Sequence, residues 1–139
     1  MVANTKCKVN IVLYTNNANI GLRYEELSPI IRQAIESVNG IKPNFTLVKY
    51  RDQRDVKSYA EHDRTICTNY FRVYSGDTFN YFNATGEKVT KGREIHYSSF
   101  ANMENHNLAF QLIADIQNNL KALPTDSVEG DKVSNYLKF

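Results

Sequence analysis

The sequence predicts an α/β domain, on three observations: a strand, helix, strand order in its opening third, a run of strand signals through its middle, and an amphipathic helix near its end. A length of 139 residues suits one ordinary domain with a single core and is too short for two independent ones. Hydrophobic residues make up 42% and charged residues 23%, close to the averages of folded chains, which excludes disordered, collagenous and coiled-coil classes. Lys and Arg total 17 against 15 Asp and Glu, and the formal charge of +2 is too small to announce nucleic acid or an anionic membrane as partner.

Lys8 to Thr15 reads KVNIVLYT, with Val9, Ile11 and Leu13 on one side and Val12 and Tyr14 on the other, the pattern of an inner strand covered on both faces. A polar stretch follows. Leu27, Ile30, Ile31, Ala34, Ile35 and Val38 then recur at the three- and four-residue spacing of one helix face. Ser28 and Pro29 suit an N-cap and first helical position, a start at Tyr24 is the alternative, and Gly40 is placed to end the helix. NFTLVKYR, from Asn44 to Arg51, is a second strand, so a right-handed βαβ crossover makes the two strands parallel.

Arg51 to Glu61 mixes charges of both signs without an apolar stripe and reads as an exposed connection or short helix. Thr65, Ile66, Thr68, Tyr70, Phe71, Val73 and Tyr74 read as strand, with a turn at Ser75-Gly76-Asp77, further strand from Thr78 to Phe82 and from Ile95 to Phe100, and a turn around Gly86. The expectation is an antiparallel meander of three or four strands, continuing one mixed sheet flanked by helices. Leu108, Leu112, Ile113, Ile116 and Leu120 share a face of the closing helix, which stops before Pro124. The domain is thus expected over residues 1–123, with residues 124–139 as a loose polar tail.

Cys7 and Cys67 form no CxxC pair or disulfide framework, and the opening residues do not resemble a signal peptide. No apolar run approaches the roughly 18 residues of a membrane span. A cytoplasmic chain without integral membrane association is expected.

One segment carries chemical information: His62-Asp63-Arg64-Thr65-Ile66-Cys67-Thr68-Asn69, followed after six residues by Gly76-Asp77-Thr78-Phe79. Its spacing, H-x-R, four residues, N, six residues, G, resembles the phospholipase D signature H-x-K, four residues, D, six residues, G-S-x-N. The resemblance implies a phospholipase D-like repeat unit, built as strand, helix, strand, then a meander and a closing helix, with the motif His and Lys on a strand. Side chains two apart on a strand share a face, so His62 and Arg64 would project together as nucleophile and phosphate clamp. The family's histidine attacks phosphorus and a second histidine from another copy protonates the leaving group. A catalytic form of this chain would therefore need a homodimer placing two His62 side chains across one pocket.

The departures are chemical. Arg64 replaces a compact ammonium by a planar fork, and Asn69 removes a carboxylate. Asp77 would repel a bound phosphate, Phe79 cannot hydrogen-bond, and Asn80 falls one residue late. Such a segment is similar to the C-terminal phospholipase D-like domain of microtubule-interacting-and-trafficking domain proteins and their bacterial relatives. These keep the fold without the full catalytic motif, and the eukaryotic ones dimerise and associate with acidic phospholipid membranes. The resemblance implies a non-catalytic module for dimerisation or docking, itself part of a larger protein or complex, with ligand contacts from His62, Arg64, Ser75, Asp77 and Asn80. The alternative is a metal-independent phosphodiesterase or nuclease with His62, Arg64 and Asn69 as catalytic residues.

The same residues have ordinary structural uses. His62 would bond a neighbouring strand or Asp63, Arg64 would pair with Glu61, Asp63 or Asp77, Asn69 would cap a turn, and Gly76 would serve a hairpin bend. His96 and His106 lack a third ligand at metal-site spacing, so neither metal nor cofactor is expected. Cys67 reads as a small core residue. The aromatic group Tyr70, Phe71, Tyr74, Phe79, Tyr81, Phe82, Tyr97 and Phe100 would stack bases or, as favoured without a basic stripe beside it, form a core or dimer interface.

Overall fold

The computed structural model describes residues 7–16, 23–50, 64–75, 85, 87 and 94–139. The elements in chain order are β1 (Asn10–Asn16), α1 (Tyr24–Asn39), β2 (Asn44–Tyr50), β3 (Arg64–Cys67), β4 (Phe71–Ser75), β5 (His96–Ser99), α2 (Met103–Ala122), a 3-10 turn at Thr125–Ser127, and β6 (Val128–Gly130). The fold is α/β, as the alternation of periods predicts.

The chain divides into two compact units, Met1–Arg54 with Asp115–Phe139 and Asp55–Ala114. Each unit has its own three-stranded sheet, in the orders β1-β2-β6 and β3-β4-β5, rather than a share of one mixed sheet. In the first sheet the second edge of β2 pairs antiparallel with β6, Thr46 opposite Gly130 and Val48 opposite Val128.

In the first unit β1 and β2 run parallel in the register Ile11 with Phe45 and Leu13 with Leu47, which is the expected βαβ product. The inner strand, however, is β2 and not β1, where the sequence pattern predicts it. It lies between β1 and β6, and Phe45, Thr46, Leu47 and Val48 are fully buried, whereas the described side chains of β1 are only partly covered. Helix α1 starts at Tyr24, so Pro29 lies inside it and offers no N–H toward the Glu25 carbonyl. Gly40 ends it in the left-handed conformation, φ 73°, donating its N–H to Glu36 O at 2.8 Å. The buried side is narrower than the predicted face: Leu27, Ile31 and Ile35 are partly covered and Ser28 is buried, while Ile30 and Val38 are exposed. Tyr24 stacks on Phe45 with ring centroids 5.7 Å apart, tying the first turn of α1 to the core of β2.

Residues 128–139 lie in the stretch expected as a loose polar tail, residues 124–139, and are hydrogen-bonded to β2 and α2. Asp131 replaces the ladder where β6 ends: its N–H donates to Phe45 O at 3.1 Å, and its Oδ2 accepts the Phe45 N–H at 2.8 Å. Arg32 Nη2 reaches the same Oδ2 at 2.9 Å and also donates to the Tyr24 hydroxyl. Gly130 has φ 106°, and a Cβ there would meet the Phe45 carbonyl oxygen and the Tyr24 ring, so both backbone and space require glycine. Lys132, at φ 56°, donates its N–H to the buried Thr46 Oγ1 at 2.9 Å. Gln117 and the Lys138 backbone exchange two hydrogen bonds of 2.7 and 3.0 Å, fixing the last residues to the end of α2.

In the second unit β3, β4 and β5 form the expected antiparallel meander, three strands among the described residues. The expected strand at Thr78–Phe82 and the turn at Gly86 lie outside the described residues. Asn102 caps α2, its Oδ1 accepting the N–H groups of Glu104 and Asn105 at 2.9 and 3.2 Å. Of the apolar residues predicted to share the α2 face, Leu108 is exposed, while Leu112, Ile113, Ile116 and Leu120 are partly covered and the neighbouring Ala109 is buried.

Candidate functional site

The run from Thr65 to Tyr74 folds back on itself. The reversal is at Thr68–Tyr70, ahead of the turn expected at Ser75-Gly76-Asp77, and Ser75 ends β4 as strand. Thr68 makes the turn. Its Oγ1 accepts the N–H groups of Tyr70 and Phe71, both at 3.1 Å, and its N–H donates to Phe71 O at 2.9 Å. Asn69 sits exposed at the tip, so the capping expected of Asn69 is performed by its neighbour.

The hairpin register aligns Arg64 with Ser75, Ile66 with Val73, and Cys67 with Arg72. Two separated stretches of the sequence, the end of H-x-R and the residue before Gly76, thereby meet at one end of the hairpin. Ser75 is fully buried there. Asn69 lies at the opposite end, five positions along the chain from Arg64, on the order of 16 Å of extended chain. Of the six candidate residues the structure thus brings Arg64 and Ser75 together and keeps Asn69 apart from them. His62, Asp77 and Asn80 lie outside the described residues.

Strand alternation puts a different set of residues on a concavity of about 300 Å³: Arg72 and Tyr74 from β4 with His96 and Ser98 from β5. Arg72 stands opposite Ser98 and Tyr74 opposite His96. The Arg72 guanidinium carbon lies 5.3 Å from the Tyr74 ring centroid, and Nη2 donates to Thr65 Oγ1 at 3.4 Å. Arg72 Nε is out of contact with solvent and has no hydrogen-bond partner. The Tyr74 and His96 rings are 5.8 Å apart, tilted by 41°. Glu94 Oε2 lies 3.5 Å from His96 Nε2 and is 88% exposed.

Arg64 and Ser75 occupy register positions of the other parity, so this concavity is not the one the H-x-R spacing predicts. Sequence reasoning weighed His96 only as a metal ligand and passed over Arg72 and Ser98. The available signal was the pair of alternations, Arg72-x-Tyr74 and His96-x-Ser98, which becomes a site only once the register is known. Near it, Cys67 is an exposed residue, not the small core residue expected; partial burial of its thiol pushes the pKa up, with the Arg72 charge pulling the other way.

His106 rests between aromatic rings, stacked on Phe110 at 4.3 Å and edge-on to Phe100 at 6.0 Å. Among the described residues no three His, Cys, Asp or Glu side chains are grouped to hold a metal ion, and no helix is long and apolar enough to cross a membrane. No protein-family model, no curated protein and no solved structure matches the chain.

Proposed function

We propose that this chain is a non-catalytic phospholipase D-like module that serves in dimerisation or docking and holds phosphate-bearing ligands through His62 and Arg64. The observation that carries the reading is the element order: β1, α1 and β2 form a parallel βαβ unit, β3 to β5 form a meander, and α2 follows. That order is the plan the H-x-R resemblance implies. Two further observations support it. Arg64 opens a strand, as the family's motif cation does, and the hairpin aligns it with Ser75, next to the glycine anchor of the motif. The two separate sheets depart from the single mixed sheet of that plan.

The absence of turnover follows from the residues. Phosphoryl transfer through a histidine needs donors that gather the developing negative charge. Asp77 brings a carboxylate to a position where the family has a hydroxyl, Phe79 brings no hydrogen bond, and one copy of the chain carries one motif histidine. Charge attraction by Arg64 survives these losses, so binding outlasts catalysis.

The test is equilibrium binding of wild type and Arg64→Ala to labelled single-stranded DNA and, separately, to phosphatidylserine vesicles. One arm is expected to bind and to weaken at least about fivefold in the variant, as loss of a charge-assisted contact requires. Failure of both arms, or binding indifferent to Arg64, would overturn the reading.

A further inference from the structure

Arg72 is a partly buried cation with no counter-ion among the described residues. Among the described residues no carboxylate pairs with it, its one hydrogen bond goes to a neutral hydroxyl at 3.4 Å, and Nε has neither solvent nor partner. The guanidinium charge is thus met by the protein only through a neutral hydroxyl on Nη2, and an anion reaching its terminal nitrogens would gain a charge-assisted hydrogen bond. Its planar fork matches phosphate oxygens, and contact with the Tyr74 ring limits its orientation before any ligand arrives.

The rest of the concavity supplies complementary chemistry. Ser98, directly opposite Arg72, offers a hydroxyl donor to the same anion. Tyr74 and His96 present two aromatic rings side by side, the arrangement on which bases stack. A volume of about 300 Å³ is far more than a bare phosphate fills and lies within the range of small-ligand sites. Glu94 places one negative charge beside His96, which favours a ligand with a single phosphate over a polyphosphate.

We propose that Arg72, Tyr74, His96 and Ser98 form a binding site for a nucleoside monophosphate, the phosphate on Arg72 and Ser98 and the base against Tyr74 and His96. Among the described residues the lining includes none of the anchor positions of the H-x-R segment, and the proposal stands or falls apart from the phospholipase D-like reading.

Calorimetric titration with AMP, adenosine and inorganic phosphate tests it, on wild type, Arg72→Gln and Ser98→Ala, each variant first checked for wild-type circular dichroism. AMP is expected to bind wild type about tenfold more tightly than either adenosine or phosphate alone. Affinity for AMP is expected to fall about tenfold in Arg72→Gln and about threefold in Ser98→Ala. Should Arg72→Gln fail to fold, Ser98→Ala decides. The proposal is overturned if wild type does not bind AMP, if phosphate alone binds as tightly, or if AMP affinity is unchanged in the folded variants.

Discussion

Asp131 continues the β2 ladder with a side chain after β6 has stopped, and its protonation state is therefore a structural variable. The Phe45 N–H hydrogen bond, joined by the Arg32 guanidinium, holds its carboxyl below the usual value of 3.8, against the opposing effect of partial burial. A carboxyl with a lower pKa folded than unfolded stabilises the fold fully above the unfolded value. That contribution is lost as the pH falls through the folded value. Asp131→Asn keeps an acceptor for Phe45 but gives up the charge, at a cost of about 1 kcal/mol near neutrality for so accessible a group. Urea unfolding of both proteins over a pH series is expected to show this gap near neutral pH and its closure below about pH 3.8. A gap that stays constant through the acid range would contradict the assignment.

At the scale of elements, the β3–β4 hairpin depends on a threonine where a glycine-containing turn would be the ordinary device. Thr68→Ala removes the acceptor for the Tyr70 and Phe71 N–H groups, a loss of roughly 1 kcal/mol. Amide exchange at Phe71 and its β3 partners is expected to quicken about fivefold, with β2 amides unchanged. Uniform quickening in both sheets, or none in the hairpin, would refute that role. This turn also shows what the sequence makes legible. β1, α1 and β2 can be read because their alternation and helical spacing are local. The Thr68–Tyr70 reversal has no glycine or proline to mark it, and β6 is three residues, Val-Glu-Gly, whose strand character comes only from pairing with β2. The H-x-R spacing is readable as a string, whereas the Arg72 concavity depends on which residues of β4 and β5 stand opposite each other.

Across the whole molecule, the two sheets carry different burdens. The first concentrates its burial in β2, with Phe45, Leu47 and Val48 fully covered, and ties the C-terminal residues back through Asp131, Lys132 and Gln117. The second buries Ser75 but leaves Ile66 and Tyr97 more than half exposed, and it carries both the aligned motif residues and the Arg72 concavity. A chain with a formal charge of +2 has little long-range attraction for a phosphate backbone, so the phosphate binding proposed above would be local, through individual arginines. The central proposal is that the His62–Asn69 segment, which resembles the phospholipase D signature, binds without cutting. Its most direct test is incubation of wild type and His62→Ala with a chromogenic phosphodiester, single-stranded DNA and RNA in the presence of chelator, since the family's histidine chemistry uses no metal. The account predicts no turnover by either protein on any of the three substrates; cleavage by wild type that disappears in His62→Ala would contradict it.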